Sequence, residues 1–343
     1  MTSNNPNYLT IIFTGAVLLL ALNGCAQEKA DKELLNMEKA DSKPVNIEQG
    51  GKKQVDMEKE IVVFQDQLYN KIKKYSKRPL YIVQVNKKNC RALVLCNDIP
   101  HWLTLYENTD ESMALYLNNY IPKTGPQVLS VKVYPREGED FITEMAAVDL
   151  KICFAADKDH GVDQYKTITK AELPADIGTK KLKYYEFEVP FEATVPFNFS
   201  AELANAQNLK SVPGIETKVV EKYKQLQGYL VKGDGLSFAR AFEKSDLKSS
   251  TYLYATKQEL IADDQAENVD VQRARLDLKN RKVKPIEQYE LVFFAGGKLA
   301  KLQTSKDKKE MLTVDFEDGN GQSGFEKPVL LYLPAGSKEL EIW

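Results

Sequence analysis

Residues 127–135 read Gln-Val-Leu-Ser-Val-Lys-Val-Tyr-Pro, alternating apolar with polar side chains until a proline ends the run. Strict alternation has a period of two, which puts every apolar residue on one face of an extended strand. A chain with many such segments must pair them into sheets that share a buried face. The pattern returns in "LYIVQVN" (80–86), "CRALVLC" (90–96), "LTLYE" (103–107) and "VDLKICFA" (148–155). The polar "KKN" between the first two predicts a hairpin. Residues 183–199 have strand composition but contain Pro190 and Pro196. Prolines of that kind suit an edge strand or a bulge. The 17 tyrosines and 14 phenylalanines fit β-rich structure with large contact surfaces. An all-β sandwich over residues 57–200 is therefore expected. Met57, Ile61, Phe64, Leu68, Ile72 and Tyr75 precede it at helical spacing and predict a leading amphipathic helix.

After residue 200 the periodicity changes. Val219, Val220, Tyr223, Leu226 and Leu230 fall on one face of a helix over 215–230, and "GDG" (233–235) breaks it. Residues 236–244 and 257–269 read as further helices. The segment 289–305 predicts a hairpin around Gly296-Gly297. Residues 310–318, 328–334 and 338–343 would complete one antiparallel sheet. Helices followed by antiparallel strands make residues 201–343 an α+β domain, and the whole chain an α+β multidomain protein.

The N-terminus has a different character. Residues 11–22, "IIFTGAVLLLAL", are an apolar run shorter than the about 20 residues of a membrane span. They fit the apolar region of a secretory signal over residues 1–24. Residues 35–59 repeat one weakly apolar decapeptide three times, as Leu35–Lys39, Val45–Gln49 and Val55–Lys59. Residues 26–56 contain no aromatic side chain, so they cannot bury enough apolar surface to offset ordering entropy. The expectation is a flexible tether over 25–56 spanning roughly 30 Å. The repeat would equally serve as a docking motif, with one apolar residue per copy.

Three resemblances follow from these segments. Leu22-Asn23-Gly24-Cys25 resembles the lipobox of bacterial lipoproteins. It implies cleavage before Cys25, diacylation of Cys25 and stable anchoring by two chains. Residues 1–10 depart from the pattern by lacking Lys and Arg. Ala26, where an Asp favours inner-membrane retention, points to a periplasm-facing outer-membrane lipoprotein. Asn97-Asp98, Asn118-Asn119, Gly125 and the Leu129/Val131/Val133/Pro135 strand resemble the galactose-binding-like jelly-roll modules. That resemblance implies a jelly-roll sandwich serving as sugar binder, docking domain or spacer. The element order of the C-terminal part resembles the curved-sheet, cone-shaped folds of the nuclear-transport-factor or SnoaL-like kind.

Chemistry-bearing patterns give little. Net charge is −2, without the basic footprint of a nucleic-acid binder. The two histidines, His101 and His160, stand in no ligand or catalytic pattern. Asp157, Asp159 and Asp163 alternate as in a calcium loop, but Val162 and Ile168 occupy the glycine and glutamate positions of an EF-hand. "GQSGF" (321–325) ends in Phe325 where a nucleophile elbow has glycine, and a loop between strands is its expected setting. Ser245-Asp246-Leu247-Lys248 matches Ser-x-x-Lys, and Lys123-Thr124-Gly125 another penicillin-binding element, in reversed order. With Cys25 lipidated, Cys90, Cys96 and Cys153 remain. Cys90 and Cys96 lie about 20 Å apart on a regular strand and cannot bridge each other. A bridge from Cys153 to one of them, Cys96 by preference, stands beside the alternative that all three are buried thiols. No metal or cofactor is expected.

Compartment and elimination point to binding rather than catalysis. The expected role is an immunity or antagonist lipoprotein that neutralises a toxic effector of a type VI-like secretion system. The alternative is binding of carbohydrate or cell wall through the sandwich.

Overall fold

The computed structural model describes residues 48–100, 105–259, 279–318 and 321–343. It combines helices with four antiparallel sheets. Helix α1 (Glu48–Lys71) opens the described chain. It reaches nine residues back into the segment expected to be a tether, and stops four residues short of Tyr75. Its inward side packs on a later helix through Phe64, and Leu68 is also buried, whereas Val62 and Val63 face solvent.

Eight strands follow: β1 (Leu80–Lys88), β2 (Arg91–Cys96), β3 (Ile99–Pro100), β4 (Glu111–Tyr116), β5 (Gly125–Tyr134), β6 (Ala147–Ala155), β7 (Lys166–Glu172) and β8 (Tyr185–Ala193). They form two sheets, ordered β4-β1-β6-β7 and β3-β2-β5-β8, whose inner faces share one buried cluster. The alternation of 127–135 is realised in β5, where Leu129, Val131 and Val133 are fully buried. β8 is an edge strand, which accommodates Pro190 opposite Val128.

The hairpin expected from 80–86 and 90–96 is not formed. β1 pairs on one side with β4 and on the other with β6, so no edge is left for β2. The chain bends at Asn89, whose φ is 50°, and β2 joins the opposite sheet. Sequence periodicity also missed β3, β4 and β7. The mostly exposed β7 has no apolar face for a pattern to show.

The second part comprises α2 (Ser200–Asn205), α3 (Ile215–Lys232) and α4 (Gly235–Tyr252), then β9 (Lys279–Val283), β10 (Tyr289–Phe294), β11 (Leu299–Thr304), β12 (Leu312–Asp318), β13 (Gly321–Lys327), β14 (Leu331–Tyr332) and β15 (Glu341–Ile342). The expected single sheet is two, ordered β10-β11-β14-β15 and β13-β12-β9. β9 and β13 were not anticipated, and residues 321–325 belong to β13 rather than to a loop. Most of the helix expected over 257–269 lies outside the described residues. The break at 233–235 is real. Gly233 adopts φ 70° as the α3 C-cap, and Asp234 caps α4 by accepting the Ser237 amide at 3.0 Å.

Val219, Tyr223, Leu226 and Leu230 of α3 are fully buried against these strands. Tyr223 also carries polar work. Its hydroxyl donates to the Val329 carbonyl at 2.8 Å and accepts the Leu302 amide at 3.0 Å.

The sandwich core continues past residue 200, taking in Tyr254, Phe294, Leu299 and Tyr332. Polar bonds reinforce this join. Asp98 accepts the Ala295 amide at 3.1 Å through its carbonyl and the Gly296 amide at 3.2 Å through its side chain. Buried Asn118 accepts the Tyr81 amide at 2.9 Å. It also donates to the Pro79 and Tyr252 carbonyls at 3.0 and 3.2 Å. Of the positions that carried the jelly-roll resemblance, Asp98, Asn118 and Asn119 thus tie the sandwich to the second part, whereas Asn97 bonds within the sandwich.

Candidate functional site

A cavity of about 120 Å³ opens where α4, the C-terminal strands and the turn Asn118–Tyr120 meet. α4 supplies one wall because Phe238, Phe242, Ser245, Ser249 and Tyr252 recur at three- and four-residue spacing along one stripe. The first two complete the apolar core, and from Phe242 onward the stripe lines the cavity.

Three ion pairs surround the cavity. Lys301 and Glu310 meet at 2.6 Å with side chains only 4% and 6% exposed. Lys327 and Asp246 meet at 3.4 Å. Lys248 and Glu202 meet at 3.3 Å. Lys248 also lies 3.4 Å from the centre of the Trp343 ring. Burial is the largest influence on its amine and pulls the pKa down to about 8, with the Glu202 charge opposing. Lys244 differs. Burial pulls its pKa down too, but the hydrogen bonds it donates to Glu202, Tyr332 and Glu341 outweigh that and raise it.

Two polar atoms on residues that line the cavity stand apart. Oε2 of Glu310 and Oδ1 of Asn119 are buried and have no hydrogen-bond partner. The Asn119 amide nitrogen is engaged, donating to Ser249 Oγ at 2.9 Å.

Ser245 and Lys248 both line this cavity, yet they do not form a nucleophile–base pair. The Ser245 hydroxyl donates to the Trp343 carbonyl at 2.6 Å, while Lys248 is held by Glu202 and Trp343. Lys123-Thr124-Gly125 lies elsewhere. Lys123 and Thr124 line a separate hollow, and the Thr124 hydroxyl donates to the Val195 carbonyl at 3.0 Å.

The remaining expectations fall as follows. Cys25 and His101 lie outside the described residues. Cys90, Cys96 and Cys153 are free and buried, so the bridge expected between Cys96 and Cys153 is absent. Cys96 belongs to the sandwich interior. Cys153 pairs in register with Ile82, on the other face of its sheet. Burial raises the Cys90 thiol to about 11 and pushes that of Cys96 higher still. Asp157 and Asp159 are gathered by one guanidinium. Arg78 donates to Asp157 at 2.7 and 3.2 Å and also bonds Asp159. Burial would raise the Asp157 carboxyl, but bonds from the Asp159 amide and Arg78 hold it below its ordinary range. Among the described residues no group of three or more His, Cys, Asp or Glu side chains could hold a metal ion.

A second feature lies on the surface. Loops 135–146 and 174–184 are locked together where the Ile142 amide donates to the Leu182 carbonyl at 2.8 Å. Gly178 approaches the Glu144 backbone so closely that a Cβ would sit 2.4 Å from it. Asn89 Nδ2 donates to the Met145 carbonyl at 3.1 Å, and Asn108 Oδ1 accepts the Glu137 amide at 2.8 Å. From this braced pair Phe141, Met145 and Tyr184 project into solvent, Met145 with 71% exposure. Glu139, Asp140 and Glu144 flank Phe141 and Met145, while Lys181 and Lys183 flank Tyr184.

Sequence patterns did not find either feature. Asn118-Asn119 was singled out for fold and Ser245-x-x-Lys248 for chemistry, but nothing local joins them to Lys301 or Glu310. Comparison with protein-family models, with curated proteins and with solved structures finds no match. Among the described residues no helix is long and apolar enough to cross a membrane.

Proposed function

We propose that this chain is a lipid-anchored protein of the cell envelope that acts by binding another protein, a toxic effector that it neutralises. Residues 11–25 support the location, with Cys25 as the acylated residue and the outer membrane, facing the periplasm, as the site. The observation that carries the binding role is the braced surface set of Phe141, Met145 and Tyr184. Aromatic residues and methionine are enriched at protein–protein interfaces, and a pre-ordered loop loses little entropy on docking. The flanking carboxylates and lysines would set orientation and approach rate. Inhibition by occlusion needs such a surface and no chemistry. The cavity side chains fit this role, since their charges neutralise one another and the Ser245 hydroxyl is engaged. A type VI-like system is the proposed source of the effector.

The test is genetic and physical. Deleting the gene should sensitise cells to attack by a neighbour that delivers the effector, and the purified chain should bind that effector. Phe141→Asp combined with Met145→Glu should abolish protection without lowering Tm. Unchanged toxin sensitivity on deletion would remove the reading. For the anchor, Cys25→Ser should release the protein from membranes; persistence there would overturn the location.

A further inference from the structure

We propose that the hollow between the exit of α1, the turn before β5 and the segment after β8 binds a phosphate group with free oxygens, as inorganic phosphate or a phosphate monoester. The inference is independent of the effector-binding surface, and soluble phosphate tests it without the anchor at Cys25.

The walls come from three separate stretches of chain. Lys73 lies two residues beyond α1, Lys123 and Thr124 directly precede β5, and residues 195–198 follow β8. These stretches are fastened to one another. The Thr124 hydroxyl donates to the Val195 carbonyl and accepts the Val195 amide, both at 3.0 Å. The Phe199 amide donates to the Pro122 carbonyl at 2.9 Å. The Tyr75 ring meets the Phe197 ring edge-on, with centroids 6.2 Å apart, and Lys73 Nζ lies 5.1 Å from the centre of the Tyr75 ring. The walls are therefore in place before a ligand arrives, which spares the entropy of ordering them.

Hydrogen-bond capacity decides the class of ligand. Thr124 spends its hydroxyl on Val195. Asn198 spends its side-chain oxygen, which accepts the Ser200 amide at 3.0 Å and the Ser200 hydroxyl at 2.7 Å. Those bonds fix which end of the Asn198 amide is nitrogen and leave its two N–H groups uncommitted. The ammonium groups of Lys73 and Lys123 meet no carboxylate among the described residues, and no acidic side chain lines the hollow. Every uncommitted polar side-chain group on the hollow is thus a donor, and two of the three carry positive charge. Lys73, Lys123 and Asn198 are all exposed, so a molecule arriving from solvent can reach them.

A cation would be repelled by both amines. A neutral molecule would leave their mutual repulsion in place. An oxyanion relieves that repulsion and accepts charge-assisted bonds from the same donors. Three donor groups on three stretches of chain exceed the two oxygens of a carboxylate and match the three free oxygens of a phosphate monoester.

The test uses the full chain with inorganic phosphate and glycerol 3-phosphate as probes, and acetate and ethylammonium as controls. Binding is read by calorimetry and by NMR shifts of the Asn198 side-chain amide. The expected result is saturable binding of at least one phosphate probe, tighter than either control. Lys73→Gln and Lys123→Gln should each weaken it by about fivefold, the size of an exposed ion pair. Asn198→Asp keeps the oxygen that accepts from Ser200 and replaces the donor nitrogen with a charged oxygen. It should abolish binding with Tm unchanged. Vesicles of phosphatidic acid in phosphatidylcholine, scored as wild type against Asn198→Asp, identify the source. A difference between the two proteins assigns the ester to a lipid headgroup, and binding of the soluble probes without such a difference assigns it to a soluble molecule. Absence of saturable phosphate binding would overturn the proposal. So would a control bound as tightly as phosphate, or phosphate affinity unchanged in all three variants.

Discussion

The side-chain amide of Asn118 donates to the carbonyl oxygen of Tyr252, 134 positions along the chain, at 3.2 Å. Through this bond the turn after β4 is fixed to the end of α4. The same amide reaches Pro79, and Asn118 Oδ1 takes the Tyr81 amide. One fully buried side chain thus joins the entry to the sandwich, its fourth strand and the helical part.

Asn118→Ala should consequently be among the most damaging single substitutions. It strands buried backbone groups that have no water to turn to, at about 1–3 kcal/mol each. The expected loss is about 3 kcal/mol, read as a lower urea midpoint. Asn118→Asp keeps the acceptor but loses the donor, so it should retain part of the stability.

Tyr223→Phe isolates a second buried join. The substitution keeps the ring and removes only the hydroxyl that bonds Leu302 and Val329. The Leu302 amide is then orphaned, at a cost of about 2 kcal/mol. Hydrogen exchange at Leu302 should accelerate more than exchange at the neighbouring β11 amides.

Lys248 gives the chain a pH signature. Its folded amine titrates near 8, against about 10.4 in an unfolded chain. Between these values the unfolded state holds a proton that the folded state has released, so this residue makes stability rise with pH. Lys248→Met should flatten the rise between pH 8 and pH 10, by about 3 kcal/mol at most. Paired urea titrations of wild type and variant across that range measure it. A wild-type curve identical in slope to that of the variant would refute the assignment.

The thiols give a direct count. Burial shields Cys90, Cys96 and Cys153, and it raises the thiols of Cys90 and Cys96. A thiol reagent at pH 8 should react with none of the three in the native protein and with all three in denaturant. A Cys96–Cys153 bridge would leave only Cys90 reactive after unfolding.

Legibility followed locality. The α3 stripe at Val219, Tyr223, Leu226 and Leu230, the break at Gly233-Asp234, the β10–β11 hairpin and the edge position of Pro190 could each be read from a few adjacent residues. The β1–β2 hairpin could not. Its turn looked correct, but two distant strands, β4 and β6, occupy both edges of β1. β13 escaped because "GQSGF" carries no alternation, and it pairs only because β12 presents a complementary edge. The cavity was unreadable for a related reason. Lys301 and Glu310 are nine residues apart on paper, but their partners in the wall come from α4 and from the Asn118–Tyr120 turn.

What the sequence determined by itself is the class of each segment and where most of them begin and end. Period, caps and prolines act over one or two turns of backbone, and those energies belong to neighbours in the chain. Tertiary structure alone decided which sheet each strand entered, which thiols stayed apart and which charges were buried together. Such choices depend on groups brought into contact across tens to hundreds of residues. A buried charge or amide is tolerable only once its distant partner has arrived.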